Sequence, residues 1–307
     1  MVSVYTCSTG MPDEERRQIV YGGGLILFKN VEEVLELVPY IRELAEEAFS
    51  PHDPQIAHQS YDRQGYLERV EDFQRTVTNS PVVRDGFLSA LSRLGVELDR
   101  SGFSRFTMRV QPPANSHIDR NTAALGAHRD SWYSQDFAQT NWWTPWYPLE
   151  KGRNLRFYPK YWLDPMPNSS EGWSLDEFRA ARVRVTAAGG SFDEILDAYP
   201  PVRPERLLRD EEALDVMFEP GDLLNFSLAH LHQGPPNTTR LARFSTDFRT
   251  MHAHDVAEGL GAPNVDSKST GSGIGDFKRL SDEKPLARLV HDLELASSGG
   301  KLAVRED

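Results

Sequence analysis

Three separated stretches decide how this chain folds: His128-Arg129-Asp130, His232 to Asn237, and Arg243-Phe244-Ser245. A His-x-Asp pair on a strand places both side chains on one face, because side chains alternate with a period of two. A distant histidine on a facing strand can then complete a triangle of ligands. Two histidines and one carboxylate are the set that holds a non-haem Fe(II) ion and leaves other coordination positions open. The pattern predicts a metal centre inside a β-structure.

The sequence around these stretches favours an antiparallel β-core rather than alternating strands and helices. Short apolar runs are separated by Pro, Gly and Asn turns, as in a sandwich or barrel. The predicted strands are 105–110, 139–147, 155–158, 214–218, 223–228 and 241–250. We expect a mainly β fold.

The first hundred residues have a different pattern. A short strand is predicted at 24–28, and helices are predicted from about Asn30 to Phe49 and from Ser80-Pro81 onward. Asn30 and Glu33 have the spacing of a capping box. The apolar faces of these helices are expected to pack on the outside of a sheet.

We therefore expect one domain over residues 1–307, in three parts. A helical part, 1–100, precedes a β-core at 101–252 with a partly helical insertion at about 165–200, and residues 253–307 follow. The segment 264–275 is rich in Ser, Gly and Asp, and its composition alone favours a flexible linker. A helix is predicted from about 284 to 295.

Composition limits the function classes. The 307 residues include 46 acidic and 34 basic side chains, for a net charge of -12, which disfavours nucleic acid and anionic membranes as partners. The single cysteine excludes an internal disulfide and a multi-thiolate zinc site. With no signal peptide or membrane-length apolar run, a cytoplasmic protein with a small-molecule substrate is expected. The oligomeric state is not predicted.

Spacing alone leaves the ligands ambiguous. His117-Ile118-Asp119 repeats the His-x-Asp pattern, and His230 competes with His232. Arg243-x-Ser245 places a guanidinium and a hydroxyl on one strand face, where they can hold a carboxylate by a charge-assisted pair and a hydrogen bond. Arg240 lies in a turn and is expected to be solvated.

Taken together, these residues resemble those of the Fe(II)/2-oxoglutarate-dependent oxygenases of the phytanoyl-CoA-hydroxylase-like superfamily. The match falls on His128, Asp130, His232 and Arg243, with Ser245 completing the Arg-x-Ser pattern, and it covers roughly residues 100 to 250. The runs 126–133, 141–143 and 157–162 resemble a subgroup associated with bacterial natural-product pathways. The segment 264–277 also resembles a recurring C-terminal piece of that subgroup, so an ordered lid is as favoured as a linker.

The resemblance implies a double-stranded β-helix, of jelly-roll or cupin-like form, flanked by α-helices. It implies that His128, Asp130 and His232 bind Fe(II), that Arg243 and Ser245 anchor 2-oxoglutarate, and that O2 is consumed. Asn141 is a candidate contact to the co-substrate or the substrate. The reaction implied is hydroxylation, or else desaturation or cyclisation, of a C–H bond.

The substrate and two other functions remain open. Net charge and the subgroup resemblance predict a polar substrate, such as an amino sugar, aminocyclitol or amino acid. The alternatives are a cupin-like module that binds a metal or small molecule without turnover, and a zinc-dependent hydrolase, which could use the same three ligands. His117 and Asp119 are expected to be solvated loop residues.

Overall fold

The computed structural model describes residues 3–118 and 126–302, and two β-sheets form its centre. The strands of the described residues are β1 (Val4–Cys7), β2 (Leu25–Phe28), β3 (Ser101–Phe103), β4 (Thr107–Gln111), β5 (Gln139–Pro145), β6 (Leu155–Phe157), β7 (Leu214–Val216), β8 (Leu223–Ser227), β9 (His232–Gln233), β10 (Arg243–His252) and β11 (Lys278–Arg279). The helices are α1 (Asp13–Tyr21), α2 (Glu32–Phe49), α3 (Arg63–Thr78), α4 (Pro81–Arg93), α5 (Leu175–Ala187), α6 (Phe192–Ala198), α7 (Ala253–Ala257) and α8 (Leu286–Leu302).

The larger sheet has the strand order β1-β2-β8-β5-β10-β3-β11, and β4 also pairs with β10. Strand β10 pairs antiparallel with β5 from Ser245 opposite Pro145 to Met251 opposite Gln139. Strands β1 and β2 form a parallel pair, whereas β2, β8 and β5 pair antiparallel. The smaller sheet has the order β7-β6-β9 and is antiparallel. Strand β10 thus pairs with three strands of the larger sheet, β3, β4 and β5.

An apolar core joins the two sheets. Trp143 and Phe226 from the larger sheet belong to one buried cluster with Leu155, Phe157 and Val216 from the smaller sheet. Side chains alternate along each strand, so the strands of the larger sheet also contribute residues such as Trp142 and Phe248 to a second buried cluster on the opposite face. The sheets therefore pack face to face, with the metal-ligand candidates at one end of the interface.

The N-terminal helices cover the opposite face of the larger sheet. Phe248 of β10 is fully buried, and its ring centroid lies 5.0 Å from that of Phe87 in α4 and 4.8 Å from that of Phe106. Phe244 packs in the same way against Phe49 of α2 and Phe73 of α3. Since Phe244, Thr246 and Phe248 alternate with Arg243, Ser245, Asp247 and Arg249, the latter four residues lie on the side of the smaller sheet.

Two expectations change. A mainly β chain is not confirmed, because helices contain more of the described residues than strands do. The amphipathic helices of the first hundred residues, together with α5, α6 and α8, account for this difference. The double-stranded β-helix and the three-part domain division stay predictions.

The start of α2 is also corrected. Val31, and not Asn30, is the residue at the helix N-cap, and no side chain caps the helix. Asn30 has a φ of 52°, and its backbone N–H donates to Oδ1 of Asp222 at 3.0 Å. The long-range contact replaces the local capping box. The predicted Ser80 cap of α4 is confirmed, because its Oγ accepts from the Val83 N–H at 3.4 Å.

Candidate metal centre and adjoining cavities

His128 and His232 are paired through their backbones. Each backbone N–H donates to the carbonyl of the other at 2.9 Å, which forms an isolated antiparallel bridge. Residues opposite each other in such a pair carry their side chains on one face. The two ring centroids are accordingly 4.5 Å apart. The bridge brings together two histidines that are about a hundred residues apart in the sequence.

Asp130 completes the group. It begins a short 3₁₀ turn, Asp130–Trp132, and its Oδ1 lies 3.4 Å from Nε2 of His128. One ligand atom from each of His128, Asp130 and His232 lies within 4.8 Å of the others. Among residues 3–118 and 126–302, no other cluster of three or more His, Cys, Asp or Glu side chains meets that criterion.

Hydrogen bonds define which ring nitrogen of each histidine is free. Nδ1 of His128 lies 2.9 Å from the carbonyl of Gly126, and Nδ1 of His232 lies 2.9 Å from the carbonyl of His230. A carbonyl can only accept, so both Nδ1 atoms carry hydrogen and the neutral rings have their lone pair at Nε2. Such an outer hydrogen bond is the usual partner of a metal-binding histidine.

The second oxygen of Asp130 is held by donors from two strands of the larger sheet. Its Oδ2 accepts from Nδ2 of Asn141 at 2.8 Å and from Nε2 of Gln139 at 3.3 Å, and Nε of Arg249 lies at 3.5 Å. Gln139 and Asn141 lie on one face of β5, and Arg249 is opposite Asn141 in β10. These contacts orient the carboxylate so that Oδ1 is left for a metal ion.

The protonation states agree with this geometry. Burial opposes ionisation of Asp130, but the positive charge of Arg249 outweighs it and holds the pKa of the carboxyl well below its usual value. Burial, reinforced by His128, lowers the pKa of His232 to about 3. The carboxylate is therefore charged and this imidazole neutral near pH 7, which are the forms that bind metals.

A first cavity extends from the three residues toward the start of β10. It is lined by His128, Asp130 and His232 at one end and by Arg243 at the other, with Asn141, Trp143, Leu155 and Phe226 between. Arg243 is 4% exposed and Ser245 is fully buried. Both lie on the same face of β10 because they are two residues apart.

Buried polar atoms in this region lack protein partners. Nε of Arg243 and Oγ of Ser245 make no hydrogen bond, and Nη1 of Arg243 has only a 3.4 Å contact with the carbonyl of Asn154. Leaving such groups unpaired costs about 1 to 3 kcal/mol each, and more when the group is charged. Gly234 approaches closely, since a Cβ there would lie 3.4 Å from Nη1 and Nη2 of Arg243. Burial, with Arg109, lowers the pKa of Arg243 to about 10, so the guanidinium stays charged near neutrality.

The remaining charges in the first cavity are already paired. Asp247 accepts two hydrogen bonds from Arg109, through Nε and, at 3.2 Å, through Nη2. Arg243 is therefore the cation of this cavity that has no carboxylate partner among the described residues. An anion with two negatively charged groups could pair one group with Arg243 and bind the metal centre through the other.

A second cavity, of about 330 Å³, opens on the other side of the centre. It shares His128, Asp130 and Arg249 with the first cavity. Its remaining walls come from Ser104, from the segments 133–139, 173–178 and 196–201, and from the stretch 273–277. The predicted insertion and the C-terminal segment thus both face the centre.

The C-terminal segment is tied to the loop that carries Asp130. Asp266 accepts hydrogen bonds from Nε of Arg129 at 3.0 Å and from Nε1 of Trp132 at 2.7 Å, and also from the backbone N–H of Met166. Arg129 is 1% exposed. The linker composition of residues 264–275 is therefore misleading, because a buried charge pair holds this segment in place.

The other candidate residues lie elsewhere. His230 is bonded to Ser227 and, through Nε2 at 3.1 Å, to the carbonyl of Gly23, so both its nitrogens have backbone partners. His117 is exposed and contacts the Tyr61 carbonyl at 3.0 Å, whereas Asp119 lies outside the described residues. Arg240 is exposed, as expected.

Three residues near the centre were not predicted as site residues. Gln139 and Arg249 contact Asp130, and Asp266 supports the loop that carries it. Extending the alternation from Arg243-x-Ser245 by two further steps reaches Arg249, so that signal was present. Asn141 was predicted to contact a co-substrate or substrate; it contacts Asp130 and lines the first cavity, and its predicted role stays a prediction.

Within the described part of the chain, no helix is both long enough and apolar enough to cross a bilayer.

Comparison with known proteins gives no close relative. No family model matches the sequence, and no curated protein matches it. Among solved structures, EvdO2 from Micromonospora carbonacea var. aurantiaca is 17% identical, with a TM-score of 0.45 over 80% of this chain and 93% of that chain. A second structure of EvdO2 contains 2-oxoglutarate.

Two further structures have comparable or lower similarity. The epimerase SnoN, in complex with Fe3+, alpha ketoglutarate and nogalamycin RO, is 16% identical, with a TM-score of 0.44 over 87% of this chain and 98% of that chain. The non-haem monooxygenase ThoJ is 14% identical, with a TM-score of 0.36 over 69% of this chain and 70% of that chain.

Proposed function

We propose that this protein is a non-haem Fe(II)/2-oxoglutarate-dependent dioxygenase that oxidises a C–H bond of a small molecule. The observation that carries the proposal is that the two-histidine, one-carboxylate group and the unpaired Arg243 line the same cavity. Other metal proteins use the same three ligands, but a buried, unpartnered arginine beside them needs an anionic ligand to explain it.

The three ligands fit a divalent iron ion. His128 and His232 would bind through Nε2 and Asp130 through Oδ1, because the other ring nitrogens and Oδ2 are already hydrogen-bonded. Three protein ligands leave positions free for the co-substrate and for O2, which is the arrangement of the 2-His-1-carboxylate oxygenases.

The first cavity fits 2-oxoglutarate. Arg243 and Ser245 would hold the carboxylate distant from the metal, and this contact would give Nε of Arg243 and Oγ of Ser245 the partners they lack. Gly234 keeps the space beside the guanidinium free of a side chain. The paired Arg109 and Asp247 would remain bystanders to this contact.

When bound, the iron and 2-oxoglutarate supply the oxidising chemistry: one oxygen atom of O2 enters succinate, formed with CO2, and the other enters the substrate as a hydroxyl group. The residues of the chain would have three tasks. Asn141 and Gln139 fix the Asp130 carboxylate, Arg243 orients the co-substrate, and the walls of the second cavity place one C–H bond at the centre. Desaturation or cyclisation remains an alternative outcome of the same oxidation.

A finer assignment is part of this proposal. The order His-x-Asp, distal His and Arg-x-Ser supports membership of the phytanoyl-CoA-hydroxylase-like superfamily and a double-stranded β-helix core. The runs around 126–133 and 157–162 support a place in bacterial natural-product biosynthesis. The polar, amine-bearing substrate predicted from net charge and the subgroup resemblance stays a prediction.

The test is an anaerobic titration of the metal-free protein with Fe(II) and then with 2-oxoglutarate, following the weak visible charge-transfer band of the chelate. We expect the band in the wild type and its loss or shift in Asp130→Ala. A wild-type protein saturated with iron that shows no band would refute the proposal and favour a binding module without turnover. Exposed Asp72→Ala provides a matched control and should retain the band.

A further inference from the structure

The second cavity has aromatic walls. The ring centroid of Trp173 lies 5.1 Å from that of Tyr133, 5.7 Å from that of Phe178 and 5.5 Å from that of Tyr199. The Tyr133 ring in turn lies 5.9 Å from the ring of His128. A continuous aromatic surface therefore runs from a metal-ligand candidate to the insertion helices.

The hydroxyl groups of this surface are already engaged by the protein. Tyr133 donates to the carbonyl of Val202 at 3.0 Å. The Tyr199 hydroxyl accepts from the Ser174 N–H at 2.7 Å and donates to Glu177 at 3.2 Å. Nε1 of Trp173 and Oγ of Ser104 are buried polar atoms of this cavity that have no partner among the described residues. A polyhydroxylated or polyamine ligand has more polar groups than these two atoms can satisfy, so its loss of hydration would be only partly offset.

The carboxylates of the second cavity, apart from Asp130, are also engaged. Asp136 accepts from the Ser272 hydroxyl through one oxygen and from the Gly273 N–H at 2.6 Å through the other. Asp276 is paired with Arg179 at 2.5 Å. An amine of a ligand would therefore compete with the Ser272 and Gly273 donors for Asp136 and with the Arg179 guanidinium for Asp276.

Arg249, in contrast to these carboxylates, has side-chain nitrogens that are not hydrogen-bonded to any described residue of the protein. Only its Nε contacts a carboxylate, that of Asp130 at 3.5 Å, and its side chain is 36% exposed. Its Nη1 and Nη2 have no hydrogen-bond partner among the described residues. A carboxylate could therefore approach the two Nη atoms and form a bidentate pair.

We infer that the second cavity binds a substrate with at least one aromatic or other planar apolar ring and a carboxylate that pairs with Arg249. This inference rests on the proposed function for the reaction, but it replaces the polar, amine-bearing substrate class with an apolar, acidic one. The substrate ring packs on Trp173 and its aromatic neighbours. The substrate carboxylate pairs with Arg249 and so fixes the position of the substrate relative to the metal centre.

The test compares two probes with the same ring and opposite charge, 2-naphthoate and 2-naphthylmethylammonium, with 2-deoxystreptamine as an aminocyclitol probe. Binding is measured by calorimetry to protein loaded with Zn(II) and 2-oxoglutarate, which does not turn over, and to metal-free protein. We expect naphthoate to bind about tenfold more tightly than the ammonium probe. Tighter binding of 2-deoxystreptamine than of either naphthalene probe would overturn the inference.

Variants test the carboxylate contact with Arg249 and the ring contact with Trp173 separately. Arg249→Gln should abolish the preference for naphthoate and leave ring binding, whereas the exposed Arg240→Gln should change neither. Trp173→Ala should weaken both naphthalene probes about tenfold, and Phe178→Leu provides a milder second variant if Trp173→Ala does not fold. A preference that survives Arg249→Gln, or that exists only without 2-oxoglutarate, would overturn the role of Arg249.

The outcome is independent of the iron chemistry. Naphthoate binding with no charge-transfer band for Fe(II) and 2-oxoglutarate would refute the proposed function and leave the ligand class standing. The band without any naphthalene binding would refute the ligand class alone.

Discussion

Nδ2 of Asn141 donates a 2.8 Å hydrogen bond to Oδ2 of Asp130, and the residue opposite Asn141 in the sheet, Arg249, approaches the same oxygen. The carboxylate of the candidate metal ligand is therefore positioned by the central strands β5 and β10. These strands are rigid parts of the larger sheet, whereas Asp130 itself belongs to a short turn.

This relationship predicts that Asn141→Ala weakens metal binding without removing a ligand. Loss of an outer-sphere hydrogen bond typically costs roughly 10- to 100-fold in metal affinity. Co(II) titration followed by its visible spectrum measures the effect, with the exposed Asn79→Ala as the control. Unchanged Co(II) affinity in Asn141→Ala would show that Asp130 is oriented by other contacts.

Arg243→Gln is expected to separate co-substrate binding from metal binding. Losing a charge-assisted pair of about 2 to 3 kcal/mol should raise the Kd for 2-oxoglutarate by about 30- to 150-fold. Metal affinity should stay the same, because Arg243 is not one of the three ligand candidates. The measurement is calorimetry with 2-oxoglutarate on Zn(II)-loaded protein, and Arg240→Gln is the control. A zinc hydrolase would not need Arg243, so equal behaviour of the two variants would favour that alternative.

Asp266→Ala is expected to destabilise the whole protein. Arg129 is buried and would be left without its carboxylate partner, which typically costs about 3 to 5 kcal/mol. Asp276→Ala breaks a pair whose carboxylate is 67% exposed and should cost about 1 kcal/mol or less. Urea unfolding of the two variants gives the comparison. Equal stability losses would contradict the anchoring role of Asp266.

The stability of the metal-free protein should fall as the pH falls below about 6.5. His252 is 4% exposed, and neither ring nitrogen has a hydrogen-bond partner. Burial, together with Arg17, lowers its pKa despite the nearby Asp255, Asp13 and Glu97. In the window between the folded and the ordinary pKa, the unfolded chain binds the proton and the folded chain does not, so stability is lost on acidification.

His252→Gln should reduce this pH dependence by at most about 1.4 kcal/mol per pH unit within that window. Urea unfolding of wild type and variant at pH 7.5 and pH 5.5 measures the difference. Exposed His254→Gln is the control, and an identical pH dependence in the wild type and His252→Gln would refute the assignment.

Local patterns in the sequence predicted much of the fold. Strands with clear alternation, such as β5 and β10, were predicted within a few residues, as was the start of α4 at Ser80. The strands β1, β3 and β11 were missed, because each is defined by its pairing with β2, β10 or β3 rather than by an apolar pattern of its own. The Asn30 cap was wrong because a residue about two hundred positions away, Asp222, supplied the contact.

The candidate site shows the same division. Motif order indicated that His128, Asp130 and His232 would converge, and the structure brings them together. Motif order could not indicate the supporting contacts of Gln139, Arg249 and Asp266, since these contacts depend on which strands and segments are neighbours in the fold. The polar substrate class, predicted from net charge and the subgroup resemblance, stays a prediction, and net charge is a property of the whole surface rather than of the walls of one cavity.

The backbone pairing of His128 with His232 also affects how the molecule responds to its metal. An ion held by these residues would act as a removable cross-link that closes a loop of about a hundred residues. The unfolded chain does not hold the three ligands together, so the ion binds the folded protein preferentially. Metal at a hundred times its Kd would add about 2.7 kcal/mol to the stability of the native state. Protein prepared with a chelator should therefore unfold at a lower temperature than protein prepared without one. The unfolding temperature then reports the fraction of metal centres that are occupied.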